Sequence, residues 1–404
     1  MDFLIASRRD RPGDDPIFSL NAQAKKRAAA GEDIVNATIG TLLGDDGKFA
    51  VMTAVMEAFG ELQAPLISAY APISGRPEFL SAVVDDLLGP SGLSDQVAAI
   101  ATPGGSGALR VAIDNFTEHG QTVLTSSYYW PPYMTLATEA GRQLATFNMF
   151  TQDGTFDVAA LAVALDEHIE SQGRVLLFLN TPCHNPTGYS LDQKEWDGIV
   201  EVINARADRA PITVLLDIAY GYYQPAGMQL AIDNAVHLAG KSLVLFAWSA
   251  SKAFAQYGMR IGACLAVTPD EAERKRIANA LTFSCRGTWS NCNAGGMSVI
   301  ARVLTEPDYR TRVIEQRVEL SNMLSRRVAC WNELASAKGI RFPRYDGGFF
   351  TTVFCDDSAS VCARLREQGI YLVPTFGAIR VALCSINERQ IGRIVDALAG
   401  ELGT

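Results

Sequence analysis

The chain has 404 residues, of which 48% are hydrophobic and 20% are charged, and its formal net charge is −9 at pH 7. This composition is typical of a globular enzyme and excludes wholesale disorder, and the length suits a large domain plus a smaller one. The acidic balance argues against a nucleic-acid partner, because affinity for nucleic acid comes largely from Lys and Arg neutralising phosphates.

The first segment of the chain and its cysteines bear on location. The stretch MDFLIASRRDRPGDD holds only four consecutive apolar residues before it becomes charged, and no later apolar run approaches the roughly 18 residues of a membrane span. Eight cysteines occur without a C-x-x-C pair, and the four histidines have no metal-ligand spacing. We therefore expect a reduced, cytoplasmic protein without a signal peptide, a membrane segment or a metal site.

Between about residues 96 and 285, short runs rich in Val, Ile and Leu alternate with longer amphipathic segments. Such runs are typical of strands buried on both faces of a mostly parallel sheet, which predicts an α/β fold with six or seven strands. The segment SLDQKEWDGIVEVINARA predicts a helix capped by Ser190. The strand runs are VAAIATP, TVLTSS, RVLLFLN, ITVLLDIAY, LVLFAWS and GACLAV.

After about residue 309 the pattern changes. The segment PDYRTRVIEQRVELSNMLSRRVACWNELASAKG predicts a long, charged amphipathic helix, and the tail alternates strands and helices in a small α+β unit. We divide the chain into residues 1–47, an arm and the first part of a small domain, residues 48–309, a large domain, and residues 310–404, the rest of the small domain.

Several polar residues follow the strand runs, where active groups of parallel sheets gather. Gly104, Gly105 and Ser106 open a helix and suit a phosphate, although such turns are common and the spacing is not that of a P-loop or a dinucleotide site. Asn185 lies in the turn NPTG, which could be structural. Asp217 ends a buried run and needs a positive partner or strong hydrogen bonds, which a structural ion pair would also supply.

Lys252 follows the buried run LVLFAWS, and Arg260 comes eight positions later between Gly258 and Gly262. An amine at the end of a buried strand is either a structural residue whose charge reaches water or a reactive nucleophile.

Taken in order, the glycine-rich turn and the motifs NPTG, DIAY, SASK and GMRIG resemble those of pyridoxal-phosphate enzymes of fold type I. Within them, the chain is similar to class I aminotransferases of the aspartate aminotransferase family. The likeness covers nearly the whole chain and implies a large domain with a mostly parallel seven-stranded sheet and a smaller α+β domain. Its further segments are DDPIFSLNAQAKK, VNATIGTLLGDDGKF, AYAPISGRPEFLSAVVDDLLG, TWSNCNAGG and AIRVALC.

The resemblance implies roles around the cofactor ring. Lys252 would bind pyridoxal phosphate as a Schiff base and later move protons, and Asp217 would face the pyridine nitrogen. Asn185 and Tyr220 would bind the phenolic oxygen, and Trp130 would stack on the ring unless it is a plain core aromatic. We assign the catalytic roles to Lys252, Asp217 and Tyr220.

The resemblance also implies how phosphate and substrate are bound. Tyr70 would reach the phosphate from a neighbouring subunit, which implies a homodimer. Arg380 would bind the substrate α-carboxylate with Gly40 and Asn185, and Arg286 would cross the dimer to read a distal carboxylate unless it is a surface arginine. The expected phosphate donors of the same subunit are Gly104, Gly105, Ser106, Ser249 and Arg260.

We therefore predict an aminotransferase that moves an amino group between an L-amino acid and a 2-oxo acid such as 2-oxoglutarate by a ping-pong mechanism. The amino acid would be aspartate or glutamate, or an aromatic one. A β-lyase acting on a β-substituted amino acid is the first alternative, and an effector-sensing regulator with this fold is the second. The acidic charge and the absence of a preceding DNA-binding segment disfavour the regulator.

Some residues depart from the family's pattern. Tyr133 and Asn180 stand where many members carry histidines, which alters the surroundings of Asp217. Other departures lie where the substrate side chain is expected, and Phe18 and Ile39 would add apolar surface there; these changes leave aspartate specificity open. The departures near the substrate are Thr38 for a glycine, Trp289 for a tyrosine, and Cys292 and Asn293 for a proline pair.

Overall fold

The computed structural model describes residues 3–13 and 15–404. Short 3-10 turns lie at Ala6–Arg8, Gly89–Ser91, Ser94–Gln96, Gly221–Tyr223 and Leu383–Ser385. The α-helices of the described chain are α1 Pro16–Ala29, α2 Thr53–Gly60, α3 Ala64–Ser68, α4 Pro77–Leu88, α5 Gly104–Phe116, α6 Pro132–Glu139, α7 Val158–Gln172, α8 Gln193–Asn204, α9 Pro225–Leu238, α10 Ala250–Ala253, α11 Glu271–Thr288, α12 Ala294–Thr305, α13 Pro307–Ala337, α14 Ser358–Glu367 and α15 Glu388–Leu402.

The strands form three sheets. Seven strands make the largest sheet in the order β2-β8-β7-β6-β5-β3-β4, a second sheet pairs β1 with β10, and a third has the order β11-β12-β9. The strands are β1 Val35–Asn36, β2 Val97–Thr102, β3 Thr122–Ser126, β4 Gln143–Phe147, β5 Val175–Asn180, β6 Ile212–Asp217, β7 Leu243–Ser249, β8 Gly262–Val267, β9 Phe350–Phe354, β10 Ile370–Tyr371, β11 Val373–Thr375 and β12 Ala378–Ala382.

The seven-stranded sheet confirms the predicted α/β fold. Strands β7, β6, β5, β3 and β4 pair in parallel, whereas β8 lies antiparallel between β2 and β7. Every residue of β5, β6 and β8 is buried, as their unbroken apolar runs predict. The strand that sequence patterns miss is β4, an edge strand with only one buried residue, Phe147.

The predicted cap of α8 was wrong. Asp192, not Ser190, caps the helix, and its side chain and that of Glu195 form a capping box. Ser190 is used elsewhere, because its hydroxyl accepts a hydrogen bond of 3.0 Å from the Cys183 amide. The serine therefore stabilises the NPTG turn rather than the helix that follows it.

The chain forms two compact units. The large unit contains Ala50–Ser325 and Pro343–Phe349, and the small unit contains Met1–Phe49, Arg326–Phe342 and Phe350–Thr404. The small unit contains the two smaller sheets.

The division inside α13 lies further along the chain than the predicted boundary at 309/310. The first part of this continuous helix packs on the large unit, where the Gln316 amide donates to the Thr53 hydroxyl at 2.6 Å and Arg312 pairs with Glu57 at 2.6 Å. The division therefore falls after Ser325, while the predicted boundary after residue 47 lies close to the division after Phe49.

None of the helices among the described residues has an apolar stretch long enough to span a membrane.

Candidate active site

The carboxyl edge of the large sheet gathers the predicted cofactor residues. Asn180, Asp217 and Ser249 are the last residues of the parallel strands β5, β6 and β7, so their side chains meet at one edge. A cavity of about 150 Å³ lies there. Its lining contains Gly105, Ser106, Leu109, Trp130, Asn180, Asn185, Asp217, Ala219, Tyr220, Ser249, Ser251, Lys252 and Arg260.

Asp217 lies at the buried end of this cavity and is 6% exposed. Its Oδ2 accepts a hydrogen bond of 2.6 Å from the Tyr133 hydroxyl, and its Oδ1 accepts one of 3.2 Å from the Ala219 amide. Burial raises the pKa of Asp217 above its ordinary value, whereas these two donors and the charge of Lys252 oppose that rise. A cation placed against the carboxylate would favour its ionised form.

Two asparagines and a tyrosine form a connected group beside Asp217. The Asn180 amide donates to the Asp217 carbonyl at 2.8 Å, and its Oδ1 accepts from the Asn185 backbone amide at 2.6 Å. Asn185 Nδ2 lies 3.3 Å from the Tyr220 hydroxyl, and Asn185 Oδ1 is buried without a hydrogen-bond partner. The Asn185 amide oxygen is thus an acceptor in the cavity to which a bound molecule could donate a hydrogen bond.

Lys252 lies in α10, a single turn that follows β7 directly. Ser249 caps this turn by accepting a hydrogen bond of 3.2 Å from the Ser251 amide. The Tyr223 hydroxyl donates to the Lys252 carbonyl at 3.1 Å, and Lys252 Nζ lies 5.2 Å from the centre of the Tyr220 ring. The backbone of the lysine is therefore fixed while its amine reaches the cavity.

On the side of α5 the cavity has groups that favour an anion, and we call this part of it the anion site. Helix α5 begins at Gly104, whose φ is +72° and where a Cβ would lie 2.5 Å from Arg260 Nη2. At Gly262 a Cβ would lie 2.4 Å from the carbonyl carbon of Gly104, so the two turns need glycine to approach each other. The first N–H groups of a helix lack intrahelical partners, and together with Arg260 they favour a phosphate.

The remaining two predicted residues of the large unit lie outside the cavity lining. Tyr70 is 92% exposed just after α3. Arg286 is exposed near the end of α11, and its Nη1 donates to the Ser290 hydroxyl at 2.6 Å. The contact of these two residues with a partner subunit is implied by the family resemblance alone, so their roles stay predictions.

Gly40 and Arg380 belong to the small unit. Arg380 is 5% exposed; its Nη2 donates to the Thr38 carbonyl at 2.6 Å, and its guanidinium lies 4.5 Å from the centre of the Phe350 ring. A Cβ at Gly40 would lie 2.4 Å from Phe350 Cζ, which explains the glycine. The ring and the backbone thus fix the orientation of the predicted carboxylate-binding arginine.

Sequence reasoning did not assign roles to three residues near the cavity. Ser251 lines it and accepts a hydrogen bond of 3.3 Å from Arg260; its position beside Lys252 in the SASK motif was the available signal. The Tyr223 hydroxyl donates a hydrogen bond to the Lys252 carbonyl. The two residues belong to different elements of the chain, so their sequence positions alone do not predict this contact. Tyr133 was recognised only as a departure from the family, and the structure shows its contact with Asp217.

Residues 3–13 and 15–404 contain no cluster of three His, Cys, Asp or Glu side chains that could hold a metal ion. His184, near the NPTG turn, binds Thr187 Oγ1 at 2.8 Å, and burial lowers the pKa of its imidazole to about 3. This histidine is therefore neutral at physiological pH.

The residues present fit pyridoxal phosphate. The anion site at Gly104 and Arg260 suits its phosphate, and the carboxylate of Asp217 suits a protonated ring nitrogen. The unpartnered Asn185 amide oxygen and the Lys252 amine complete a polar set of the right chemistry. An α/β fold with these groups at the carboxyl edge of its sheet defines a pyridoxal-phosphate-dependent enzyme of fold type I.

The chain belongs to the aminotransferase class I and II family, whose profile matches residues 32–398. A tyrosine aminotransferase of Klebsiella pneumoniae is 29% identical over 95% of this chain and 96% of its own length. The crystal structure of an aminotransferase from Anaerococcus prevotii matches with a TM-score of 0.94 and 31% identity, covering 99% of each chain. The crystal structure of an aromatic-amino-acid aminotransferase from Burkholderia pseudomallei, covalently bound to pyridoxal phosphate, also matches. Its TM-score is 0.82 and its sequence identity is 25%, and the match covers 98% of this chain and 99% of the other.

These matches confirm the predicted family, the cofactor and the class of enzyme. The protein is a pyridoxal-phosphate-dependent aminotransferase. The alternatives of a β-lyase and of an effector-sensing regulator receive no support from the comparisons.

Proposed function

We propose that the protein transfers the amino group of an aromatic L-amino acid to a 2-oxo acid such as 2-oxoglutarate, with Lys252, Asp217 and Tyr220 as its catalytic residues. The observation that supports these roles is the single cavity in which an amine, a buried carboxylate and an anion site meet. When bound, pyridoxal phosphate supplies a ring that withdraws electrons from the α-carbon of the substrate.

The chain's own residues would divide the work around that ring. Arg260, Ser106, Ser249 and the amides of Gly104 and Gly105 would bind the phosphate. Asp217 would hold a proton on the ring nitrogen, and Asn185 and Tyr220 would bind the phenolic oxygen. Trp130 would cover one face of the ring. Lys252 Nζ would serve as nucleophile and then carry the proton that leaves the substrate α-carbon.

The substrate would be recognised at two ends. We infer that Arg380, whose orientation Thr38 and Phe350 fix, would bind the α-carboxylate with Gly40 and Asn185. The names of the relatives from Klebsiella and Burkholderia favour an aromatic side chain.

Aspartate or glutamate is the second candidate donor. It is favoured by Arg286, which is exposed and bonded to a serine, so its charge is available for a distal carboxylate.

We propose a homodimer in which Tyr70 and Arg286 act across the interface. Tyr70 is almost fully exposed and does not line the cavity of its own chain, which leaves it accessible to a second chain. Exposed apolar side chains close to Tyr70 in the sequence support the same proposal, because exposed apolar surface is often covered at an interface. In the large unit the exposed apolar residues of this stretch are Val51, Met56, Leu66 and Ile67. A cytoplasmic location stays a prediction.

The first experiment identifies the attachment residue and the donor together. Borohydride reduction of the purified protein, followed by peptide mass spectrometry, should place the cofactor on Lys252, and Lys252→Ala should carry none. Amino acids are then added singly, without an oxo acid, while the visible absorbance is followed. If tyrosine or phenylalanine changes the absorbance of the bound cofactor at lower concentrations than aspartate does, the aromatic proposal is supported, and the reverse order would overturn it. Release of pyruvate without a change in the cofactor's absorbance would contradict transamination.

A further inference from the structure

The hydroxyl of Tyr133 meets Asp217 in a fully buried place. Tyr133 lies in α6 and has no exposed surface, and its hydroxyl donates to Asp217 Oδ2 at 2.6 Å. The Trp130 ring packs edge-on against it with centroids 5.9 Å apart, and the Phe178 ring does so at 5.2 Å. The Tyr133 ring is therefore packed between two aromatic neighbours while its hydroxyl contacts the carboxylate.

The carboxylate needs this donor because of its burial. A carboxyl group removed from water favours its neutral form, and a hydrogen bond to the charged form opposes that preference. The other groups that act on Asp217 are the Ala219 amide and Lys252, and Tyr220 lies close to Tyr133. Burial, then the charge of Asp217, raises the pKa of Tyr133 well above its ordinary value, so the hydroxyl remains a donor.

We propose that Tyr133 is a positioning residue that keeps the Asp217 carboxylate ionised and turned toward the cofactor ring. This inference rests on the proposed role of Asp217. It also assigns a function to one departure from the family, because a phenol replaces an imidazole that would change charge near neutral pH. A phenol at this position stays uncharged near neutral pH and so supplies the same hydrogen bond on both sides of it.

The test is a double-mutant cycle on cofactor affinity. Protein stripped of cofactor is titrated with pyridoxamine 5′-phosphate, which carries an amine instead of the aldehyde and so does not become attached to Lys252. Tyr133→Phe deletes the hydroxyl and keeps the packed ring, so binding should weaken about tenfold, as expected for a lost hydrogen bond to a charged group. In the background Asp217→Asn, the same change should weaken binding less than about twofold, because no carboxylate is left to ionise.

Two further readouts separate positioning from plain structural support. The loss caused by Tyr133→Phe, measured against the wild type at each pH, should shrink as the pH rises, because higher pH ionises Asp217 without help. Tyr133→His, which restores a donor, should recover most of the affinity.

Equal losses in both backgrounds, or a loss that does not change with pH, would overturn the inference. If Asp217→Asn itself leaves affinity unchanged, the proposed role of Asp217 fails instead, which is a distinguishable result.

Discussion

At the scale of single residues, Asp217 is an acidic group that the fold places away from water. Burial raises the pKa of its carboxyl group, while the proposed function needs the ionised form. In an unfolded chain the same group titrates with a pKa of about 3.9. Its contribution to stability is therefore greatest at acidic pH and is lost as the pH rises through the higher pKa of the folded state.

The cofactor-free protein should consequently gain stability from Asp217→Asn. At pH about 8 the variant should unfold at a Tm roughly 2 °C above the wild type, the shift that about 1 kcal/mol gives in a large chain. The difference should decrease as the pH is lowered, because the wild-type carboxyl then protonates. Differential scanning calorimetry across this pH range measures it. Asp153→Asn, which removes a carboxylate at an exposed turn position, is the matched control. A variant less stable than the wild type at every pH would contradict the expectation.

At the scale of elements, the direction of β8 creates the anion site. Thr102 and Ser249 both pair with Gly262, so the first residue of β8 lies between the last residues of β2 and β7. Because β8 runs antiparallel to both neighbours, the turn before it meets the turns that follow them. Arg260 thereby reaches the beginning of α5, although a wholly parallel sheet would place it at the opposite edge.

Gly104→Ala tests this close approach. The alanine would need a φ of +72° and would place Cβ 2.5 Å from Arg260 Nη2, so the guanidinium must move. We expect the free energy of unfolding to fall by about 1–2 kcal/mol and cofactor affinity to fall about tenfold. Urea unfolding without cofactor and titration with pyridoxal phosphate measure the two effects.

The neighbouring glycine is the control for stability. At Gly105, a Cβ would meet only Ser249 Cβ at 3.6 Å, and φ is not left-handed. Gly105→Ala should therefore be neutral or stabilise by up to about 1 kcal/mol. If both variants lose the same stability, the contact with Arg260 is not the cause.

Elements also show what sequence patterns can and cannot predict. Strands β5, β6 and β8 are buried along their whole length, so their apolar runs stand out, whereas β4 has one buried residue and leaves no clear pattern. The cap of α8 was misassigned because Ser190 and Asp192 are both suitable cap residues, and only the turn around Cys183 decides between them.

The site was predictable where motifs follow strand ends, as at Asp217 and Lys252. The resemblance supplied predicted roles that spacing cannot give, including that of Trp130, which lines the cavity. The bond between Tyr133 and Asp217 joins residues from distant elements, so only the folded chain reveals its length and its donor.

At the scale of the whole molecule, the proposed dimer makes each site depend on two chains. Tyr70 can be tested by complementation between inactive variants. In a heterodimer of Tyr70→Ala and Lys252→Ala chains, one site would combine Lys252 of one chain with Tyr70 of the other. If Tyr70 acts across the interface, the doubly tagged, purified heterodimer should show about half of wild-type activity while each homodimer shows little.

The control is a heterodimer of wild-type and Lys252→Ala chains, which should also show about half of wild-type activity. A mixed dimer no more active than its parent homodimers would place Tyr70 in the site of its own chain. A fully active Tyr70→Ala homodimer would remove the residue from the site altogether.

The division into discontinuous units has a consequence for synthesis on the ribosome. The small unit joins residues from both ends of the chain, since Val35 of β1 pairs with Ile370 of β10 in the two-stranded sheet. A growing chain emerges from its N-terminus, so the large unit can fold first while residues before Ala50 wait for their partners. Until the last segments emerge, apolar residues such as Val35, Ala37 and Leu42, buried in the finished protein, remain uncovered. A nascent chain stalled before β9 would therefore carry a folded large unit and an N-terminal segment with exposed apolar residues. We expect chaperones to bind such a chain.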